Sequence, residues 1–379
     1  MTSLFFRSFI VGALLLLPAV SAHSQETPLF VVLKDKKWGF MDREGKIVIP
    51  FQFEYELPFS EGLAQISAGT GREREIGFID LHGAPVVPPK YYEAGNFSEG
   101  LAPVALRTDK TKPCVDCSTF DWNMQWGFID KTGRMSIEAR FRNAREFHDG
   151  LAAVQDDSGK WGFVDPSGAL VIPFSFDYAT YFSDGLAPVM KKERWGYIDK
   201  NGQWAVQPRF TSARGFHQGN AIAKTGGKFD RRECGLPCPP PSGGNWGVLD
   251  RKTLAITSVR AEIVFHDFSE GLLSRYADPN HCGYMDAHGT AVIPAQWSAC
   301  ADFLEGLARA ETSRETYYID SGGKKIISSP TREAGDFHNG LAQVGQWWED
   351  GGWRGYIDHT GKLVWSSGPL PIRQKTKKQ

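Results

Sequence analysis

The sequence predicts an all-β protein, a tandem array of nine units of about 35 residues, each made of three short strands and a connector. Three recurring features predict it. A five-residue strand that opens with Trp-Gly or a variant ends in aspartate nine times, at Asp42, Asp80, Asp130, Asp165, Asp199, Asp250, Asp286, Asp320 and Asp358. Glycine follows that aspartate by three places in eight of the nine copies. A Phe-x-x-Gly segment, starting at Phe59, Phe97, Phe147, Phe182, Phe216, Phe268, Phe303 and Phe337, leads into Leu-Ala-x-Val or a variant that opens the next copy.

Each element has a physical reason, seen most clearly in the copy at 161–187. Trp161, Phe163 and Asp165 share one side of an extended strand, and Gly162 and Val164 share the other. Gly162 has no side chain, so a neighbouring backbone or ring can approach it. The Asp-x-x-Gly segment is a tight hairpin turn: the carboxylate accepts from backbone just ahead, and glycine takes the left-handed conformation without a Cβ clash. The sixth copy has Thr253 in the glycine's place and is expected to turn less cleanly. The third strand ends in proline at Pro50, Pro88, Pro173, Pro208 and Pro294, which cannot donate to a ladder and so stops the pairing. A unit this small cannot bury its own apolar surface and depends on its neighbours.

The pattern resembles the WG repeat family, bacterial β repeats named for the Trp-Gly pair. Tryptophan is kept at Trp38, Trp126, Trp161, Trp195 and Trp246 and replaced by Ile76, Cys282, Thr316 and Arg354. The resemblance implies an all-β repeat architecture; it implies no shared activity and no catalytic residues. The array, 29–366, starts and stops at unit boundaries, without the offset that lets a ring share one sheet between its ends. Nine units also exceed the roughly four to eight blades typical of propellers. The expectation is an open, superhelical array, with a closed propeller-like ring as the alternative.

Ahead of the array, residues 1–22 read as a secretory signal peptide: Arg7, an apolar run from Phe9 to Leu17, and small residues at Val20-Ser21-Ala22. Residues 23–28 form a short linker, and 367–379 form a basic tail. The formal charge is −1, and removing the leader takes away one Arg and no acid. That balance argues against a large electrostatic footprint on nucleic acid. The expected location is periplasmic or secreted.

Six cysteines in an exported chain point to disulfides. Counting back three places from the connector phenylalanines gives Ala94, Ala144, Ala179, Ala213 and Ala334, but Cys300 in the seventh copy. The same copy has Cys282 where tryptophan belongs. Two repeat positions that turn to cysteine together predict a Cys282–Cys300 bond, and predict that the tryptophan of the other copies lies against that alanine. Cys114 with Cys117, and Cys234 with Cys238, fall in the two insertions at 107–125 and 224–245. They read as local staples or, alternatively, as four thiolates of a zinc site.

Catalytic groups should stand outside the consensus, since a residue present in every unit is explained by folding. No nucleophile adjoins a base, and no glycine-rich phosphate loop opens a helix. His148, His217 and His338 follow connector phenylalanines, and His82, His288 and His359 fall in or beside the turns, so all six read as turn residues. No cofactor is expected. Trp122, in the first insertion, and Trp347, Trp348 and Trp353, in the densest aromatic cluster, are the candidate ligand-binding residues, able to stack on a sugar or on a partner's apolar side chains. The leading expectation is a non-enzymatic scaffold for a protein or glycan partner. The alternatives are a structural array without a dedicated ligand, or a hydrolase housed in the insertions.

Overall fold

The computed structural model describes residues 28–54, 58–69, 74–107, 124–227, 243–259, 266–345 and 352–369. Nine antiparallel sheets follow one another along the chain, at 30–53, 63–91, 93–141, 143–176, 178–210, 212–258, 273–297, 299–328 and 333–366. They are called blades 1 to 9 here. No helix occurs among the described residues.

Blade and sequence unit are offset. In blade 4 the central strands Leu151–Gln155 and Trp161–Val164 pair through Ala152 with Val164 and Gln155 with Trp161. The third strand, Leu170–Phe176, pairs on the other edge of the Trp-Gly strand with a register shift between Trp161 and Phe163. That bulge explains the glycine: a Cβ on Gly162 would lie 2.6 Å from the Ile172 carbonyl oxygen, and the equivalent distances are 2.7 Å at Gly39 and 2.5 Å at Gly127 and Gly196. The connector, counted in the sequence apart from the three strands of a unit, adds a fourth, innermost strand to six of the sheets, as Tyr178–Ala179 does in blade 5. Each unit therefore begins in one sheet and hands its last residues to the next.

The same offset locks blades together. In seven blades the third residue of the Trp-Gly strand is aromatic and meets the connector phenylalanine of the following blade, as Phe40 meets Phe59 at 4.7 Å, Phe78 Phe97 at 5.0 Å, Phe163 Phe182 at 4.9 Å and Tyr318 Phe337 at 4.8 Å between ring centres, each edge to face; the exceptions are Val248 in blade 6 and Tyr356 in blade 9. Where that residue is tyrosine, its hydroxyl also donates across the interface, from Tyr197 to the Arg214 carbonyl and from Tyr284 to that of Ala301. Burial raises the pKa of both phenols.

The array is not open. Blade 9 packs on blade 1, where Phe30, Val32, Met41, Leu341 and Tyr356 form one buried cluster. The Tyr356 hydroxyl donates to the Val31 carbonyl at 2.7 Å, its ring meets Phe30 at 5.8 Å, and the Arg354 guanidinium lies over Trp38. The expected superhelix is thus corrected to a closed ring of nine blades. Ends that coincide with unit boundaries do not prevent closure, because packing alone can join two blades. Blade 1 has no described connector, and Phe30 stands where other blades have alanine, such as Ala64 and Ala187. Its ring occupies the role of the missing connector phenylalanine.

Candidate functional site

The ring has two faces. The Asp-x-x-Gly turns and the turns that enter the Leu-Ala strands lie together on one, because the two central strands pair antiparallel with Leu186 opposite Asp199 and Leu63 opposite Asp80. In the Asp-x-x-Gly turns the aspartate accepts from the amides two and four places ahead, as Asp165 does from Ser167 at 2.9 Å and Ala169 at 3.1 Å. The adjacent hydroxyl, with those amides, holds the carboxyls of Asp130, Asp165 and Asp358 below the usual range. The sixth turn gains one residue: the Asp250 amide donates to Ala255 rather than to the residue four places on, and Leu254 takes the left-handed conformation at φ 55°.

The entry turns form a belt. In blades 2 to 9 each carries a polar residue with φ near +50°, then a left-handed glycine. The polar side chain accepts from the glycine amide of the following blade: Glu99 from Gly150 at 2.9 Å, Asp149 from Gly185, Asp184 from Gly219 and Gln218 from Gly271 at 2.8 Å each, Glu270 from Gly306 at 3.1 Å, and Glu305 from Gly340 at 2.8 Å. Glu61 accepts from both Glu99 and Gly100, at 2.7 and 2.9 Å. Nearer the axis, Ser60 and Ser98 donate to the Phe97 and Phe147 carbonyls of the next blade at 2.7 and 2.6 Å, and Ser183 and Ser269 do the same to Phe216 and Phe303. The recurrent acidic residues of the connectors are therefore ring fasteners.

Two departures interrupt this order. Around blades 6 to 8, Asp267 lies 3.7 Å from both Arg214 and His217, and His266 lies 3.1 Å from Asp302. Burial raises the Asp267 pKa, although Arg214 and His217 pull the other way. The His148 ring packs on Tyr181 at 4.8 Å, tilted by 43°, and His359 lies 3.3 Å from Glu305. Among the described residues no group of His, Cys, Asp and Glu could hold a metal ion. The second departure is a cavity of about 1430 Å³ at the seam between blades 9 and 1, lined on the turn face by Pro28, Arg43, Glu61, Gly62, Asn339 and Gly340, among others.

The opposite face carries the roots of the long loops. Arg107 pairs with Met124, Thr225 with Asn245 and Gly345 with Arg354, so the segments 108–123, 228–242 and 346–351 all leave from that side. Trp122, Trp347, Trp348, Cys114, Cys117, Cys234 and Cys238 lie outside the described residues, as do residues 1–22, where a signal peptide was expected, and most of the basic stretch 367–379. Trp353 is half-buried in the core of blades 8 and 9, and its indole N–H donates to the Gly368 carbonyl at 2.7 Å. The structure uses it for packing at the root of its loop.

Cys282 and Cys300 are bonded, with Cα atoms 6.0 Å apart and a sequence separation of 18. The bond joins two sheets, since Cys282 belongs to blade 7 and Cys300 to the inner strand of blade 8. The tryptophan and alanine it replaces share one apolar cluster in each of three other interfaces: Trp126 with Ala144, Trp161 with Ala179, and Trp195 with Ala213. The belt was the feature that sequence reading missed. Its signal was present, in a polar residue before each connector glycine, but which carboxylate reaches which amide depends on the ring.

Fold and site together define a closed β-propeller whose repeated polar residues hold blades to one another. Residues 38–69, 76–107, 126–160, 161–195, 195–229 and 283–312 match the WG containing repeat, and the chain belongs to that family. Among solved structures, a eukaryotic initiation factor aligns over 90% of this chain and 96% of its own at 13% identity, with a TM-score of 0.53. BamB from Moraxella catarrhalis aligns over 88% of this chain and 98% of its own at 10% identity and a TM-score of 0.41. The tricorn protease aligns over 83% of this chain and 34% of its own at 12% identity and a TM-score of 0.31. The likeness to the initiation factor is one of fold. No curated protein sequence matches the chain.

Proposed function

We propose that this protein is an exported, non-enzymatic propeller scaffold that holds a protein or glycan partner at the cell envelope or outside the cell. One observation carries the reading. The consensus polar groups are engaged in fastening blades, whereas the three segments that depart most from the repeat all root on the face opposite the belt. Long loops gathered on one face of a repeat array are where binding residues tend to sit. Trp122, Trp347 and Trp348 fall within those segments. The Cys282–Cys300 bond agrees with an oxidising compartment.

The test is pull-down of envelope glycans and envelope proteins with the purified protein, beside Trp347→Ala, Trp348→Ala and variants shortened across 107–125 or 224–245. Capture that falls in the loop variants while melting stays unchanged is the expected result. Capture that persists in every variant would remove the loop face from consideration. Absence of any capture would favour a structural array, and turnover of an envelope polymer that vanished with the first insertion would favour a hydrolase. Amino-terminal sequencing of exported protein should begin at His23.

A further inference from the structure

Among the described residues the belt of turn fasteners is incomplete at one place, and that place is the seam cavity. Every other glycine of the belt, from Gly100 to Gly340, donates its amide to a side-chain oxygen of the preceding blade. Gly62, in the same left-handed conformation at φ 83°, donates to none among the described residues. The cause is in the sequence: the fastener of blade 1 should stand at Thr27, where the other entry turns have Glu, Asp, Gln or Asn. The next residue is Pro28 where the others have glycine, so blade 1 also offers no amide to Asn339 of blade 9. Both loose ends of the belt, Asn339 and Gly62, line the cavity of about 1430 Å³, and so does Arg43, whose guanidinium lies against Gly340.

We propose that the amides of Glu61 and Gly62 form a seat for the carboxylate of a bound ligand. The seat is defined by its sister copies. One blade further on, the amides of Glu99 and Gly100 both donate to the carboxylate of Glu61, at 2.7 and 2.9 Å. Paired amides of this kind favour an ionised acceptor, and such bonds are stronger than neutral ones. In six of the seven filled turns a carboxylate holds this place despite the other acidic side chains of the belt, and at Gly271 the Gln218 carboxamide does. The Glu61 side chain is itself engaged, by those two amides and by Lys131 at 3.3 Å. It does not compete for its own backbone. Arg43, exposed on the neighbouring turn of blade 1, adds a cation to the cavity lining, which also includes the carboxylates of Glu44, Glu305 and Asp336.

The inference gives a chemistry to the partner proposed above and rests on that reading for the ligand's biological source: a uronic-acid glycan or an acidic peptide. Glycine-selective ¹⁵N labelling and titration with sodium acetate tests the seat itself. The Gly62 amide should shift saturably, while those of Gly100 and Gly150, whose acceptors are built in, should not. Acetamide should bind about tenfold more weakly. The double substitution Thr27→Glu with Pro28→Gly restores the consensus of the other turns and should abolish the acetate shift by filling the seat. Equal shifts with acetate and acetamide, or no saturable shift at Gly62, would overturn the proposal from the wild-type protein alone, whatever the variant does. Oligogalacturonate and a peptide with a free or amidated terminus then separate the two sources. Gly62 shifts without any macromolecular capture would keep the seat and sink the partner reading; capture through the loop face without them would do the reverse.

Discussion

The interface between blades 7 and 8 and the seam between blades 9 and 1 meet the same packing requirement in opposite ways. At the first, the usual tryptophan and alanine give way to the Cys282–Cys300 bond, while the aromatic lock of Tyr284 on Phe303 and the Glu270 fastener remain. At the second, the fastener and the connector phenylalanine are both missing from the described contacts, and Phe30, Tyr356 and Arg354 hold the blades instead. One junction is reinforced and the other is held by side-chain packing with a cavity beside it. A ring of similar blades can therefore concentrate its departures at a single joint without losing closure.

The largest effect that would break this contrast is Phe30→Ala. Removing a buried ring that stands in for a connector phenylalanine is expected to cost about 3 to 5 kcal/mol in chemical denaturation. It should also raise hydrogen exchange first in blades 1 and 9. Exchange that rose evenly around the ring would show that the seam is no special joint. Next, opening the bridge in a Cys282→Ala, Cys300→Ala double variant should cost about 3 kcal/mol for a loop of this length. Cys282→Trp with Cys300→Ala rebuilds the pair seen in other blades and should recover part of that loss; if it recovers none, the two devices are not interchangeable. Smaller again is Tyr356→Phe, which leaves the Val31 carbonyl without its hydroxyl donor and should cost about 1 kcal/mol. Tyr197→Phe gives the matching value for an ordinary interface.

The smallest effects are those of pH, and they distinguish the turns from the interfaces. The lowered carboxyls of Asp130, Asp165 and Asp358 contribute stability that is present above the unfolded value of 3.8 and lost as pH falls through their folded values. Acid titration followed by melting should show this loss, reduced in Asp165→Asn. Asp267 has the opposite sign: its raised pKa favours the folded state below 3.8, and that contribution disappears as pH rises through the folded value. Asp267→Asn should flatten the melting profile on that side, and an unchanged slope would sink the assignment.

Much of the blade was legible in the residues themselves. The turn at Asp165, the close approach at Gly162 and the Cys282–Cys300 pair all follow from comparing copies, because each depends on partners within one or two strands. The sixth turn shows the same legibility by exception, with Leu254 left-handed where glycine is missing. The candidate binding residues were legible only as departures. Trp353 carries no mark in the sequence that separates a packing ring from a binding one, and its bond to Gly368 is a property of the folded ninth blade.

What the sequence determined by itself was the unit: period, strand order, turn chemistry and one covalent staple, all set by contacts short in sequence. What only the tertiary structure decided was that nine units come round to meet. Closure depends on small rotations summed over every interface, and no local pattern records their total. The seam at which Asn339 and Gly62 line one cavity exists only because the first blade lies against the last.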